Sequence, residues 1–114
     1  GNLKKENLNI IEKAETIFSM VDSNLVNYPK FEKHGLCKDI RRSYANLIKN
    51  LMMANKVKSK RYFYQEEADG HLQVCKIFNN LSFSRKHISE GFYEDISLKL
   101  TELGKDLSSW IKSN

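Results

Sequence analysis

From Tyr93 to Trp110 the apolar residues fall at Tyr93, Ile96, Leu100, Leu103, Leu107 and Trp110, in a 3-4-3-4 rhythm. Glu94, Asp95, Lys99, Glu102, Lys105 and Asp106 fill the positions between them. An apolar seam held over about five helical turns commits its helix to neighbours that cross at shallow angles. Only that geometry keeps a single stripe covered along its whole length. The pattern predicts a helix over residues 88–113, with Ser89 placed as its N-cap.

The rest of the chain supplies three neighbours for that seam. A first helix fits residues 4–27, with Leu8, Ile11, Ala14, Ile17 or Phe18, Val21 and Leu25 on one face. Pro29, the only proline, ends it and biases Tyr28 away from helical backbone. It opens the longest connection, residues 27–35, whose Tyr28 and Phe31 are expected to cap the end of the core. A second helix over 36–56 points Leu36, Ile40, Tyr44, Leu47, Leu51 and Ala54 inward, with Ile48 and Met52 widening the stripe. A third over 60–82 does so with Tyr64, Ala68, His71 or Leu72, Cys75, Phe78 and Leu81. Gly70 lowers that helix's propensity by about 1 kcal/mol relative to Ala, and is expected to permit a close helix approach. The links after the second and third helices are short, which forces antiparallel neighbours. No segment alternates like a strand. The expectation is a single all-α domain spanning residues 1–114, an antiparallel up-down-up-down four-helix bundle.

Length and composition narrow the class without naming a function. A chain of 114 residues supports one domain with a true core. No apolar run approaches the roughly 18 residues of a membrane span. The charged start has no secretory stretch behind it, and two cysteines without one point to a reducing cytoplasm.

Four-helix bundles can hold di-iron sites, which need Glu-x-x-His on two helices and a further Glu from each of the others. This chain has no Glu-x-x-His. Its nearest cluster, Glu66, Glu67, Asp69 and His71, sits on one predicted helix and reads as a solvated acidic face. His34, His71 and His87 are scattered, with no Cys-x-x-Cys or His-x-x-x-His beside them, so a metal site has little support. Cys37 and Cys75 fall at similar heights on antiparallel neighbours and read as buried thiols. There is no glycine-rich phosphate loop or nucleophile elbow. The expectation is a non-enzymatic protein with no cofactor and no metal.

The charge pattern is more informative. The net charge is +5, and eight cations against one acid, Asp39, lie between Lys38 and Arg61. Lys38, Arg42, Lys49 and Lys56 recur at four- or seven-residue steps along one outer face. Arg41 flanks that stripe, and Lys58, Lys60 and Arg61 extend it into the following turn. A local excess of +7 is what a phosphate backbone attracts through counterion release. On charge alone, the phosphate-binding and solvated-face readings stand level. A second surplus is apolar: Met53, Tyr62, Phe63, Val74, Ile77 and Phe83 exceed what one seam per helix can bury, which favours self-association.

Several short segments carry a family resemblance. They are Tyr28-Pro29, Glu32-Lys33-His34-Gly35-Leu36, Ile40-Arg41-Arg42, Ala68-Asp69 with Leu72, and Leu103-Gly104-Lys105 followed by Trp110-Ile111-Lys112. Together they resemble a family of small bacterial four-helix-bundle proteins. One branch comprises the accessory variability determinant proteins of diversity-generating retroelements. The other comprises proteins encoded within intervening sequences of 23S ribosomal RNA genes. The resemblance implies a ring-like, basic homo-oligomer, a homopentamer. For the retroelement branch it further implies binding to RNA or DNA and to the element's reverse transcriptase. The ribosomal branch carries a Ser-Asn-Ile-Ala-Glu-Gly-like run after the paired arginines, and this chain has SYANLIKNLMMANKVKSK there. The ending with Gly104-Lys105 and Trp110-Ile111-Lys112 is closer to the retroelement branch. The expectation is therefore an RNA-binding accessory protein whose phosphate contacts come from Lys38, Arg41, Arg42, Lys49, Lys56, Lys58, Lys60 and Arg61. The alternatives are the ribosomal-branch role and a protein-interaction scaffold with no nucleic-acid role.

Overall fold

The computed structural model describes residues 5–114, with side chains from residue 9 onward. The expected start of the first helix at Lys4 and the inward side chain of Leu8 lie outside the described residues. Four helices follow in order: α1 (Lys5–Asn24), α2 (Leu36–Lys56), α3 (Arg61–Ser84) and α4 (Glu90–Lys112). Each packs against two neighbours, α1 on α2 and α4, and α3 on α2 and α4. That cyclic order is the expected up-down-up-down bundle, and its extents are 43 × 25 × 19 Å.

The α4 seam is buried as expected at Ile96, Leu100, Leu103, Leu107 and Trp110, while Tyr93 is half-buried at its edge. Ser89 caps α4, its hydroxyl accepting from Phe92 N at 3.1 Å. On α2 the six expected inward residues are all buried. α1 contributes Ile10, Ile11, Ala14, Ile17 and Val21, with Phe18 stacked on Tyr44 at 5.6 Å. Its last residues tighten into a 3-10 turn over Leu25–Asn27, and Tyr28 turns extended before Pro29, as the proline demands.

The inward stripe of α3 is buried as expected at Ala68, Leu72 and Cys75 and departs from the sequence reading at its other positions. The buried residues are Gln65, Ala68, Leu72, Cys75, Asn79 and Ser82. Tyr64, His71, Phe78 and Leu81 are only half-buried, on the shoulder of the stripe. Two of its buried polar residues, Gln65 and Asn79, find partners at the interface. Gln65 and Asn114 exchange side-chain amide bonds at 2.7 and 3.4 Å. Asn79 Nδ2 donates to Tyr93 O and Ser97 Oγ, at 3.2 and 3.0 Å. Satisfied in this way, a buried amide costs little. Gly70 is also corrected: it is exposed, and nothing lies within 4 Å of where a Cβ would stand, so no helix approaches it. Gly104 on α4 is the closely approached glycine, its would-be Cβ 3.4 Å from Leu72 Cδ2.

The helix ends are closed by long basic side chains. Lys33 reaches back to the end of α1, with Nζ 2.7 Å from Leu25 O and 3.1 Å from Val26 O. Arg61 does the same for α2, with Nε donating to Ala54 O at 2.9 Å and Nη2 to Asn55 O at 3.2 Å. Its guanidinium also lies 5.8 Å from the centre of the Trp110 ring. α3 ends in a Schellman turn, with His87 N bonded to Ser82 O and Lys86 N to Phe83 O, each at 2.9 Å. Lys86 occupies the left-handed position there at φ 64°, where glycine is the relaxed residue.

Candidate nucleic-acid interface

The expected basic stripe takes shape on α2. Its core residues all lie on one side of the helix, so Lys38, Arg42, Lys49 and Lys56 project from the opposite face, and all four are exposed. From Lys38 to Lys56 the stripe rises about 27 Å, enough to follow several phosphates. Asp39 is the only acid on α2 and stands off the stripe. Lys58 and Lys60, exposed in the 3-10 turn that follows, carry the charge around the end of the bundle.

Two of the eight expected phosphate contacts are already engaged within the fold. Arg41 Nε sits 2.7 Å from Asp22 Oδ1, joining α2 to α1 across a surface where both side chains are about half exposed. Arg61 is half-buried and spends its guanidinium on the carbonyls ending α2 and on the Trp110 ring. Sequence spacing cannot separate these two from the others, because a cation's occupation depends on the neighbouring helix.

A second basic cluster, outside the sequence-derived set, lies at the opposite end of the bundle. The α1–α2 connection carries Lys30, Lys33 and His34, and the α3–α4 connection carries Arg85, Lys86 and His87. Antiparallel topology brings both connections to one end. Glu32 joins them: its Oε2 lies 2.8 Å from Arg85 Nη1 and 2.8 Å from His87 Nε2. The glutamate is 5% exposed, and the His87 side chain 7%. The His87 hydrogen bond, together with that from Arg85 and its charge, holds the Glu32 carboxyl below its ordinary value of 4.5 against the opposing effect of burial. The sequence does hold a signal for this clamp, as two basic connections facing a lone acid on the same end of the bundle.

Around the clamp the two aromatics expected to close the core part company. Tyr28 is buried against the His87 ring at 5.1 Å. Phe31 meets the same ring edge-on at 6.3 Å and is 77% exposed, so it closes nothing. The two thiols, Cys37 and Cys75, are free and buried, and burial pushes the Cys75 thiol up to about 11. Cys75 Sγ lies 3.5 Å from Ser43 Oγ. Among the described residues, no group of three His, Cys, Asp or Glu side chains is placed to hold a metal ion. No described helix is long and apolar enough to cross a membrane. Of the apolar surplus, Tyr62, Phe63, Ile77 and Phe83 are exposed, and Met53 and Val74 are half-buried. Phe63, Gly70 and Ile77, seven residues apart, share the outward face of α3.

A family model described as bAvd-like matches residues 8–114 of the chain. The fold is similar to the crystal structure of a protein of unknown function from the S23 ribosomal protein family of Bacteroides thetaiotaomicron VPI-5482. The two share a TM-score of 0.79 and 22% identity, over 94% of this chain and 98% of that one. No curated protein matches the chain.

Proposed function

The chain belongs to the bAvd-like family, whose model spans residues 8–114, and from that membership we propose that it is a non-enzymatic, RNA-binding accessory protein of the cytoplasm. The observation that supports this reading best is the outer face of α2. There Lys38, Arg42, Lys49 and Lys56 stand exposed in one line, with Lys58 and Lys60 continuing it. Such a face holds a phosphate backbone by point charges and forked donors, so it binds strongly at low salt and reads little sequence. Arg41 joins it by exchanging Asp22 for a phosphate, and Arg61 contributes only its positive field. The proposed partner in the cell is a reverse transcriptase that copies the bound RNA.

The assembled form in this reading is a ring-like homo-oligomer, a pentamer. Its support is the apolar outer face of α3, where Phe63 and Ile77 are more than half exposed. Light scattering that returns a monomer across micromolar concentrations rules this assembly out.

Labelled structured RNA titrated across a salt series tests the binding face. Reversing Arg42, Lys49 and Lys56 to Glu is expected to weaken affinity by about tenfold or more. It should also reduce the slope of log affinity against log salt by about 2–3, at about 0.7–0.9 per lost phosphate contact. Helicity by circular dichroism should not change, because all three side chains are exposed. Unchanged affinity in the reversed variant sinks the assignment of this face.

A further inference from the structure

The α2 face accounts for phosphate contacts but leaves unexplained why a phenylalanine is held out in water at the other end of the bundle. Phe31 is 77% exposed, yet the chain on both sides of it is anchored. The residues bracketing it, Tyr28 and Glu32, are 6% and 5% exposed. Glu32 is bonded to Arg85 and His87, and the Phe31 and His87 rings meet in a T-shaped contact at 6.3 Å. A flexible loop would fold such a ring down, since burying a Phe gains about 1.5–3 kcal/mol. Here the backbone on both sides is committed, so the ring stays presented.

What surrounds the ring selects its partner. Lys30 precedes it and is exposed, while Lys86, next to the contacted His87, is exposed as well. Glu32 is the only acid in either connection, and Arg85 offsets its charge. α2 starts from Gly35 with no side-chain cap at the same end of the bundle, and Asp39 in its first turn offsets part of the positive end of its dipole. The basic line along α2 begins at Lys38, in that helix's first turn. A protein partner of ordinary affinity needs about 800 Å² of complementary surface per side. Among the described residues, the exposed large apolar side chains at this end are Phe31, Val26 and, at the end of α3, Phe83, which is 37% exposed and already stacked on Tyr93. An isolated flat ring set among cations instead matches a nucleobase, which offers a π face flanked by phosphates.

We propose that Phe31 is a stacking platform for an unpaired base of a single-stranded nucleic acid whose backbone continues onto the Lys38–Lys56 face. This rests on the reading of the chain as a nucleic-acid binder and adds single-strand selectivity to it. A base stacked in a duplex has no free face to offer, so the platform discriminates strandedness rather than sequence.

The test compares a labelled single-stranded oligouridylate with a blunt RNA duplex of the same length. Each is titrated with the wild-type chain, Phe31→Ala, Phe31→Tyr and the Arg42, Lys49, Lys56 triple reversal. Phe31→Ala is expected to lose about tenfold in affinity for the single strand, with the salt slope and duplex affinity unchanged. Phe31→Tyr should restore the single-strand affinity. If Phe31→Ala binds the single strand like wild type while the triple reversal still weakens binding, stacking is refuted and the basic face stands. If the wild-type chain binds neither probe, both readings fall. If Phe31→Ala reduces the sedimenting mass without a selective single-strand loss, the ring is a contact between copies and the proposal is overturned.

Discussion

Gly70 offers a direct probe of whether the outer face of α3 is bare. It sits mid-helix and exposed, and the space a Cβ would enter is open for 4 Å around. Alanine there therefore meets no steric cost and gains helix propensity, about 0.8–1.0 kcal/mol. Unfolding entropy runs near 2.1 cal/mol/K per residue, so a chain of 114 residues changes by about 0.24 kcal/mol per degree around its Tm. For an isolated bundle, Gly70→Ala should then raise Tm by about 4 °C, whereas in the oligomer proposed above, whose contact runs over Phe63 and Ile77, that gain should be lost. Gly104→Ala is the matched control: its Cβ would press on Leu72 Cδ2 at 3.4 Å, and Leu72 is fully buried, so its gain should be smaller. Thermal denaturation followed at 222 nm over a tenfold range of protein concentration measures both variants. A Gly70→Ala variant that is neutral or less stable, or that dissociates an assembly, refutes the reasoning for a bare face and favours the proposed oligomer. Such a result would mean a second surface lies against Gly70, with Phe63 and Ile77 beside it, and the glycine is kept for that approach.

Other outcomes follow from single contacts. Leu100→Ala, at a position with no exposure, should cost about 2–5 kcal/mol in urea denaturation, since the packed helices around it collapse only partly into the void. Arg61→Met should lose about 1–2 kcal/mol by freeing the carbonyls that end α2, and Arg61→Lys should recover little, because one ammonium cannot bridge both carbonyls and lie over Trp110. The Glu32 carboxyl titrates below its ordinary value, so its stabilisation is complete above pH 4.5 and is lost as pH falls through the lowered value. Acid unfolding of Glu32→Gln should accordingly be shallower than that of wild type below pH 4.5. Cys37 and Cys75 are buried with raised thiol values, so both should resist a thiol reagent in the native chain and react rapidly in denaturant.

The legible parts of this fold are those where one residue type does one thing. The α2 and α4 seams are apolar and evenly spaced, and the structure buries them as the spacing predicts. On α3 the spacing errs by a fraction of a turn, because periodicity weighs Phe78 and Leu81 above Asn79 and Ser82. An asparagine becomes an inward residue only once Tyr93 O and Ser97 Oγ stand opposite it. The exposed stripe of the candidate interface is legible for the same reason as the seams: it is the reverse side of a regular helix. Arg41 and Arg61 are not separable from it, since Asp22 and Trp110, distant in sequence, decide what those cations touch. The clamp at Glu32 needs topology first, because nothing local ties residue 32 to residues 85 and 87.

That separation has a kinetic side. Glu32 is 53 residues from Arg85 and 55 from His87, whereas α2 and α3 are joined by a turn of four residues. The α2–α3 hairpin closes a short loop and is free to form early. The clamp comes together only when both halves of the chain have already docked. Interactions made after the rate-limiting barrier leave the folding rate nearly untouched and act on the escape rate instead. Stopped-flow chevrons of Glu32→Gln should therefore show a displaced unfolding limb and a superimposable folding limb. Such chevrons would make the latch the determinant of how long the native bundle persists, with the speed of assembly left to α2 and α3.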